Sequence, residues 1–158
     1  MSGVSIVRVD ADDLAGPEVA ALLAEHLDDM RAASPPESKH ALDLDALRRP
    51  DVTFWTVRDD HVLLGFGALR ELDATHGEIK SMRTASAYQG LGVGGALLRH
   101  VVGEARRRGY RRLSLETGSS AHFAPAQRLY ARHGFVRCGP FGDYPEDPNS
   151  VHMTLVLD

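Results

Sequence analysis

The run from Tyr88 to Gly95 carries four glycines in six positions and continues directly into a helix-forming sequence. Glycines let the backbone turn tightly and leave its N–H groups uncovered. A helix that begins at the same point adds its own unpaired N–H donors and the positive end of its dipole. Backbone donors and a helix N-terminus together favour an anion, most naturally a phosphate or a diphosphate. The sequence therefore predicts a site for a phosphorylated ligand.

Three glycine motifs compete for this run. A Walker P-loop would end in Gly-Lys-Ser/Thr, and no lysine stands there, so that motif is excluded. The dinucleotide fingerprint G-x-G-x-x-G does match, at Gly90, Gly92 and Gly95. Glu116 lies 21 residues beyond the last of these glycines, where a ribose-binding acid would stand. However, a dinucleotide turn follows its strand at once, whereas the nearest strand-like run, Glu78 to Thr84, ends several residues earlier, and this interpretation is disfavoured.

The third motif, Gln/Arg-x-x-Gly-x-Gly/Ala, is satisfied by Gln89, Gly92 and Gly94. Downstream, the segment from Ala126 to Phe135 reads Ala-Gln-Arg-Leu-Tyr-Ala-Arg-His-Gly-Phe. The two segments together resemble the glycine loop and the A-x-x-L-Y-x-x-x-G-F signature of the GCN5-related N-acetyltransferases, the GNAT family. The resemblance covers about Val52 to the C-terminus. Two motifs in the family's order and separation are more specific than either motif alone.

The resemblance implies acetyl-CoA as co-substrate, with its diphosphate held by the glycine loop. It also implies a splayed sheet, in which the pantetheine arm enters between the strand Glu78–Thr84 and the strand Arg111–Thr117. Backbone N–H groups near the end of the first of these strands would stabilise the oxyanion. The expected cofactor-binding residues are Met82, Arg83 and Thr84 beside the split, Gln89, Gly90, Leu91, Gly92, Val93, Gly94 and Gly95 in the loop, and Tyr130 on the following helix.

An amine that attacks a thioester must first lose a proton, because a pKa near ~10 keeps it charged at neutral pH. Glu78 is the first candidate for the base, since its Glu-Ile pair resembles that of histone-type family members, in which this glutamate takes the proton. Glu116 is the second candidate, acting directly or through a water. Tyr130 resembles the family tyrosine beside the CoA sulfur and is the expected acid for the leaving thiolate. Without the resemblance, Glu78 and Glu116 are interpreted as solvated strand charges and Tyr130 as a core tyrosine.

The order of apolar patterns predicts an α/β (α+β) fold, and the resemblance implies a GNAT-like mixed, splayed sheet of six to seven strands with helices on both faces. The first predicted helix begins at Pro17. The other predicted helices are Leu42–Arg48, Gly92–Arg108 and Pro125–His133. The predicted strands are Val4–Val9, Val52–Val57, Val62–Leu69, Glu78–Thr84, Arg111–Thr117, Phe135–Cys138 and Val151–Leu157.

The length of 158 residues predicts one domain, residues 1–158. Cys138 is the single cysteine, which excludes an internal disulfide and predicts a cytoplasmic protein. A net charge of −4 gives no reason to expect a nucleic-acid partner, and neither a membrane span nor a signal peptide is predicted. The eight histidines have no paired spacing, so no metal site is expected. A homodimer is a further implication of the family resemblance.

The acetyl acceptor is expected to be the amine of a small molecule. Lys80 and Arg83, near the predicted split, would suit an amine that also bears a carboxylate, such as an amino acid. The C-terminal part resembles a bacterial subgroup of acetyltransferases. One departure from the family concerns Phe123, which stands where many members carry an asparagine that contacts the pantetheine. A non-catalytic acyl-CoA-binding module remains the alternative function.

Overall fold

The computed structural model describes residues 8–33 and 44–157. Within these ranges seven strands form one sheet: β1 (Arg8–Ala11), β2 (Val52–Asp59), β3 (Val62–Asp73), β4 (His76–Thr84), β5 (Arg112–Gly118), β6 (Val136–Cys138) and β7 (Ser150–Val156). In the same part of the chain, four α-helices are present: α1 (Pro17–Ala33), α2 (Leu44–Leu47), α3 (Val93–Arg107) and α4 (Ala124–Arg132). None of these described helices is long and apolar enough to cross a lipid bilayer.

The predicted fold class is confirmed, and the predicted elements are present with ends that differ by a few residues. The largest difference is in β3, which continues to Asp73 instead of ending at Leu69. Positions 4–7 of the predicted first strand and positions 42–43 of the second predicted helix lie outside the described residues. Short 3₁₀ turns, Ser86–Tyr88 and Ala121–Phe123, precede α3 and α4.

The strand order is β1-β2-β3-β4-β5-β7-β6. Neighbouring strands are antiparallel except for β4 and β5, which are parallel. A parallel pair needs a crossover connection, and α3 provides it between β4 and β5. The glycine loop therefore lies within this crossover, between the 3₁₀ turn Ser86–Tyr88 that follows β4 and the start of α3.

Helices cover both faces of the sheet, as predicted. The buried stripe of α3 packs with β-strand residues and α4 on one face, in a core that includes Leu97, Val101, Leu113 and Met153. A second core lies on the other face, where α1 and α2 pack against Phe54, Phe66 and Ala68.

The face of β4, β5 and β7 that lies opposite α3 is polar. Ala68, which packs with α1 and α2, is paired with Lys80, so the side chains of β4 at even positions near Lys80 share the α1 face. Buried polar side chains on this part of the sheet are His76, Glu78, Lys80, Ser114, His152 and Thr154. The segment that joins β6 to β7, residues 139–149, folds back over them and contributes the buried ring of Phe141.

Candidate active site

The parallel strands β4 and β5 pair over only part of their length. Their paired positions run from His76 with Arg112 to Ile79 with Leu115, although β4 continues to Thr84 and β5 to Gly118. The strands therefore part after Ile79 and Leu115, which confirms the predicted open sheet. Beyond this point the facing backbone edges of β4 and β5 do not hydrogen-bond to each other. A ligand in the split therefore meets main-chain donors and acceptors.

A bulge in β4 lies within the opened part and was not predicted. The register with β3 shifts between Phe66 and Ala68, and Ser81 takes a positive φ of 55°. A bulge turns a strand away from its neighbour and re-aims the side chains that follow. The run around Ser81 carries no glycine or proline to signal this irregularity.

The glycine loop has the geometry of an anion site. Gly90 and Gly92 have positive φ values of 81° and 85°. A Cβ on either would meet no atom of the described residues within 4 Å, so both backbones are uncovered by this part of the chain. Gly92 caps α3, whose first internal hydrogen bond runs from the Ala96 N–H to the Gly92 carbonyl at 3.0 Å. The N–H groups of Val93, Gly94 and Gly95 therefore have no acceptor inside the helix. These donors and the helix dipole fit a diphosphate.

Gly94 brings three parts of the site together. A Cβ at this position would lie 3.1 Å from Leu129 Cδ2 and 3.9 Å from Thr84 Oγ1. The end of β4, the start of α3 and one face of α4 therefore meet at this glycine. Tyr130, the residue after Leu129, is buried, with its ring centroid 5.9 Å from that of Phe135. Burial raises the pKa of the Tyr130 hydroxyl to about 12, so it holds its proton at neutral pH.

Glu78 is buried and its carboxylate is already held. Its Oε2 accepts a hydrogen bond from the Tyr144 hydroxyl at 2.5 Å and lies 3.4 Å from the Lys80 ammonium. The Lys80 ammonium also donates to the Tyr144 oxygen at 2.7 Å. The ion pair and the hydrogen bond replace part of the water that this carboxylate loses on burial.

Glu116 follows Leu115, the last position at which β5 pairs with β4, and it is half-buried. Its Oε2 accepts a hydrogen bond from the Ser150 hydroxyl at 2.8 Å. Burial raises the pKa of Glu116 from an ordinary 4.5 to about 7, and the negative charges of Glu78 and Asp147 act in the same direction. The Ser150 hydrogen bond and the charge of Lys80 oppose this shift. Glu116 therefore changes between its neutral and ionised forms near neutral pH.

The side chain of Arg83 points to α1, where both of its terminal nitrogens are paired. Its guanidinium forms ion pairs at 2.8 Å with both Glu25 and Asp29. Asp29 also contacts His122, at 3.2 Å from the imidazole Nε2. Because Arg83 belongs to β4 and His122 follows β5, Asp29 ties α1 to both sides of the split. The two cations predicted to hold a substrate carboxylate, Lys80 and Arg83, are both paired with carboxylates of the chain itself.

Phe123, which stands where the resemblance led us to expect an asparagine, fills space at the end of β5. A Cβ on Gly118 would overlap the Phe123 ring at 2.1 Å, so only glycine fits beneath this ring. The carbonyl of Gly118 accepts a hydrogen bond from the Gln127 side chain at 2.7 Å. The end of β5 is therefore fixed to α4 by packing and by a hydrogen bond, and Phe123 has no side-chain amide to offer a pantetheine.

Sequence reasoning missed Tyr144 and Ser150, which hold the two candidate carboxylates. Tyr144 lies in a connection rich in glycine, proline and aspartate, where no periodicity indicates which side chain faces the sheet. Beside them, a cavity of about 190 Å³ opens between the same connection and strands β6 and β7. Its lining includes Arg137, Cys138, Glu146, Asp147, Ser150 and His152.

The sequence of this chain is similar to a known protein family and to individual bacterial proteins. The model of the acetyltransferase (GNAT) family matches residues 19–135. A Bacillus subtilis (strain 168) protein named uncharacterized N-acetyltransferase YsnE is 54% identical over 151 residues, which span 96% of this chain and 100% of that protein. The Escherichia coli (strain K12) protein named uncharacterized N-acetyltransferase YedL is 50% identical over 94% of each chain. An Azospirillum brasilense protein named IAA acetyltransferase is 38% identical over 78% of this chain and 80% of that protein.

Solved structures share the fold over nearly the whole length. One from Klebsiella pneumoniae, of an acyl-CoA N-acyltransferase, superposes with a TM-score of 0.77 at 27% identity, covering 97% of this chain and 99% of that one. A GNAT acetyltransferase from Elizabethkingia anophelis with acetyl-CoA bound superposes with a TM-score of 0.69 at 19% identity, covering 97% and 99%. Taken with the family match and the glycine loop at the mouth of the split sheet, these findings assign the chain to the GNAT acetyltransferase family, as an acetyl-CoA-dependent N-acetyltransferase.

Proposed function

We propose that the enzyme moves the acetyl group to the amine of a small molecule by direct attack, with both substrates bound at once. Acetyl-CoA supplies the activated thioester. The N–H groups at the start of α3 and the uncovered glycines of the loop would hold its diphosphate. Main-chain N–H groups of Met82, Arg83 and Thr84, in the opened part of β4, are the proposed donors to the oxyanion.

The observation that carries the proposal is the position of Glu116, a largely buried carboxyl at the point where β4 and β5 part. A general base works best when its pKa lies near the operating pH, and burial raises the pKa of this carboxyl to about 7. We assign to Glu116 the removal of the proton from the amine, directly or through a water. Glu78 supports it, because the negative charge of Glu78 helps to raise the pKa of Glu116. The alternative assignment, in which Glu78 itself takes the proton, would use a carboxylate whose Oε2 already accepts from Tyr144 and lies beside Lys80.

Tyr130 is the proposed acid that protonates the leaving thiolate. The hydroxyl retains its proton at neutral pH, since burial raises its pKa to about 12. A neighbouring thiolate is the kind of group to which a phenol can donate. The position supports this role, because Leu129, the residue before Tyr130, meets Gly94 at the start of α3.

The class of amine is a separate part of the proposal. The pairing of Lys80 and Arg83 with carboxylates of the chain weakens the case for an amino acid, because a substrate carboxylate would have to displace those partners. A small amine without a carboxylate meets no such obstacle. Amino acids are therefore kept as one arm of the test.

The experiment is a screen for thiol release from acetyl-CoA with amino acids, polyamines, aminoglycosides and peptides as amines. The proposal predicts release that depends on one class of small amine, with the acetylated product confirmed by mass spectrometry. Tight binding of acetyl-CoA without release for any amine would favour the non-catalytic acyl-CoA-binding module. Binding of NAD in place of CoA, measured by thermal shift, would overturn both.

A further inference from the structure

The segment that joins β6 to β7, residues 139–149, is anchored on the polar face of the sheet by two aromatic rings. Phe141 is buried, and its ring lies 5.6 Å from that of His76 and 5.5 Å from that of His152. Tyr144 makes an edge contact with Phe141 at 5.2 Å and lies 5.2 Å from His152. The segment is therefore packed against β4 and β7 rather than extended into solvent.

The hydroxyl of Tyr144 adds a polar anchor to this packing. It stands between the Lys80 ammonium, which donates to it at 2.7 Å, and the Glu78 carboxylate, to which it donates at 2.5 Å. The Lys80 ammonium also lies 5.3 Å from the centroid of the Tyr144 ring. Burial and the charge of Glu78 raise the pKa of Tyr144 far above its ordinary value, so the hydroxyl remains a donor at every relevant pH.

The place of this anchor on β4 is specific. Glu78 and Lys80 flank Ile79, the last position at which β4 pairs with β5, so Tyr144 fastens the segment where the strands begin to part. At the other end of the segment, Ser150 donates to Glu116 on β5. Both candidate carboxylates are thus held by hydroxyl groups that lie in this segment or immediately after it.

We infer that Tyr144 is a positioning residue for the amine side of the site: its hydroxyl holds residues 139–149 closed over Glu116 and fixes Glu78 beside Lys80. The inference rests on the proposed function. The groups that face Glu116 are Glu78 and Lys80 from β4, Asp147 and Ser150 from the segment and β7, and His152, which is paired directly opposite. Release of the segment would expose Glu116 to water and remove the main cause of its raised pKa.

The test compares Tyr144→Phe with the matched control Tyr110→Phe. Tyr110 is also buried, and its hydroxyl donates to a carboxylate, that of Glu71, at 2.7 Å, but it lies at the opposite end of β5 from the split. Tyr144→Phe removes the hydrogen bond to the charged Glu78 and so loosens the segment beside the amine. This loss is expected to raise KM for the amine about tenfold. KM for acetyl-CoA should stay unchanged, and the rise of kcat/KM with pH should move to lower pH. Tyr110→Phe should change neither.

The amine used is the one that gives the fastest thiol release in the screen, and backbone hydrogen exchange of residues 139–149 is measured on the same proteins. Exchange in this segment should be about tenfold faster in Tyr144→Phe than in the wild type or the control. An unchanged amine KM and pH profile, with unchanged exchange, would overturn the inference while the proposed function stands. If the wild type releases no thiol with any amine, the proposed function fails, and the exchange measurement alone decides whether Tyr144 closes the segment.

Discussion

The Glu116 carboxylate accepts a hydrogen bond from the Ser150 hydroxyl at 2.8 Å, yet its pKa lies at about 7 rather than below its ordinary value. The removal of water from Glu116 outweighs the hydrogen bond, which favours the ionised form. A group in this balance is half ionised near neutral pH. Each neighbour that is altered should therefore move the fraction of active enzyme in a direction that the structure specifies.

Glu116→Gln should lower kcat/KM about a hundredfold or more, the usual contribution of a general base. In the wild type, kcat/KM should rise as the pH increases through about 7, because the ionised carboxylate is the form that accepts a proton. The substitution should abolish this rise. Rates of thiol release as a function of pH check both statements, with acetyl-CoA affinity, which should be unchanged, as the control.

Glu78→Gln separates the two candidate bases. Because the charge of Glu78 raises the pKa of Glu116, its removal should move the rise of kcat/KM to lower pH without abolishing it. The opposite pattern, with the rise lost in Glu78→Gln and kept in Glu116→Gln, would make Glu78 the base.

Ser150→Ala should move the same rise to higher pH. The Ser150 hydrogen bond lowers the pKa of Glu116, so its loss leaves the neutral form favoured over a wider range. At neutral pH the variant should be less active, and the activity should recover as the pH increases. Ser119→Ala is a suitable control, because the Ser119 hydroxyl donates at 2.9 Å to a carbonyl, that of Pro148, rather than to a carboxylate. A profile that shifts equally in both variants would count against the role of Ser150.

Tyr130→Phe should lower kcat about a hundredfold through loss of the acid, with little change in the Kd of acetyl-CoA. The Phe135 contact of the ring is retained, so the stability of the protein should change little. Single-turnover thiol release and calorimetric titration with CoA give the two quantities. A kcat near that of the wild type would remove Tyr130 from the mechanism.

Gly92→Ala should weaken CoA binding. An alanine at a φ of 85° costs about 1–2 kcal/mol, which the loop can relieve only by moving the N–H groups that follow. Gly109→Ala is the matched control: Gly109 has a φ of 81° and equally open surroundings but lies beyond the other end of α3. Both variants should unfold at lower temperature, and only Gly92→Ala should raise the Kd of CoA. Equal affinities in the two variants would argue against a diphosphate at this helix end.

His26 should make the fold sensitive to acid. Burial, with a further contribution from Arg83, lowers the pKa of His26 from 6.5 to about 4, so the unfolded chain binds a proton more readily between these values. The free energy of unfolding is unaffected above pH 6.5 and decreases as the pH falls towards 4, by on the order of 3 kcal/mol.

Urea unfolding at pH values on either side of 6.5 measures this effect. In His26→Gln the loss of stability on acidification should be smaller than in the wild type by that amount. His61→Gln should leave the loss unchanged, because the side chain of His61 is 98% exposed. An equal loss in wild type and His26→Gln would contradict the assignment.

The sequence predicted those parts of the fold that local rules determine. The four-residue recurrence of Val93, Leu97, Val101 and Ala105 marks the buried face of α3 directly, and all four residues are buried. The glycines of the loop signal their role because open positions with positive φ, such as Gly90 and Gly92, favour that residue type. Helix, loop and strand order therefore followed from spacing and residue type, and the family resemblance added the position of the split.

The site depends on contacts between distant parts of the chain, which spacing does not encode. Tyr144 meets Glu78 at a sequence separation of 66 residues, and it lies in a connection without a regular pattern. The raised pKa of Glu116 arises from burial by tertiary packing, and a carboxyl near a strand end gives no sign of it in the sequence. For the same reason Lys80 and Arg83 were expected to receive a substrate, whereas the folded chain supplies carboxylates to both.

Four paired positions join β4 to β5, and they are the direct backbone connection between the N-terminal strands and the C-terminal strands of the sheet. The sheet thus consists of two parts, β1–β4 and β5–β7, that are joined over a short length and separated by a split beyond it. A ligand that binds in the split and contacts both parts of the sheet binds only the folded form. By mass action it therefore makes the folded form more resistant to heat. The melting temperature of the enzyme should therefore rise with the fraction of molecules that hold a ligand in the split.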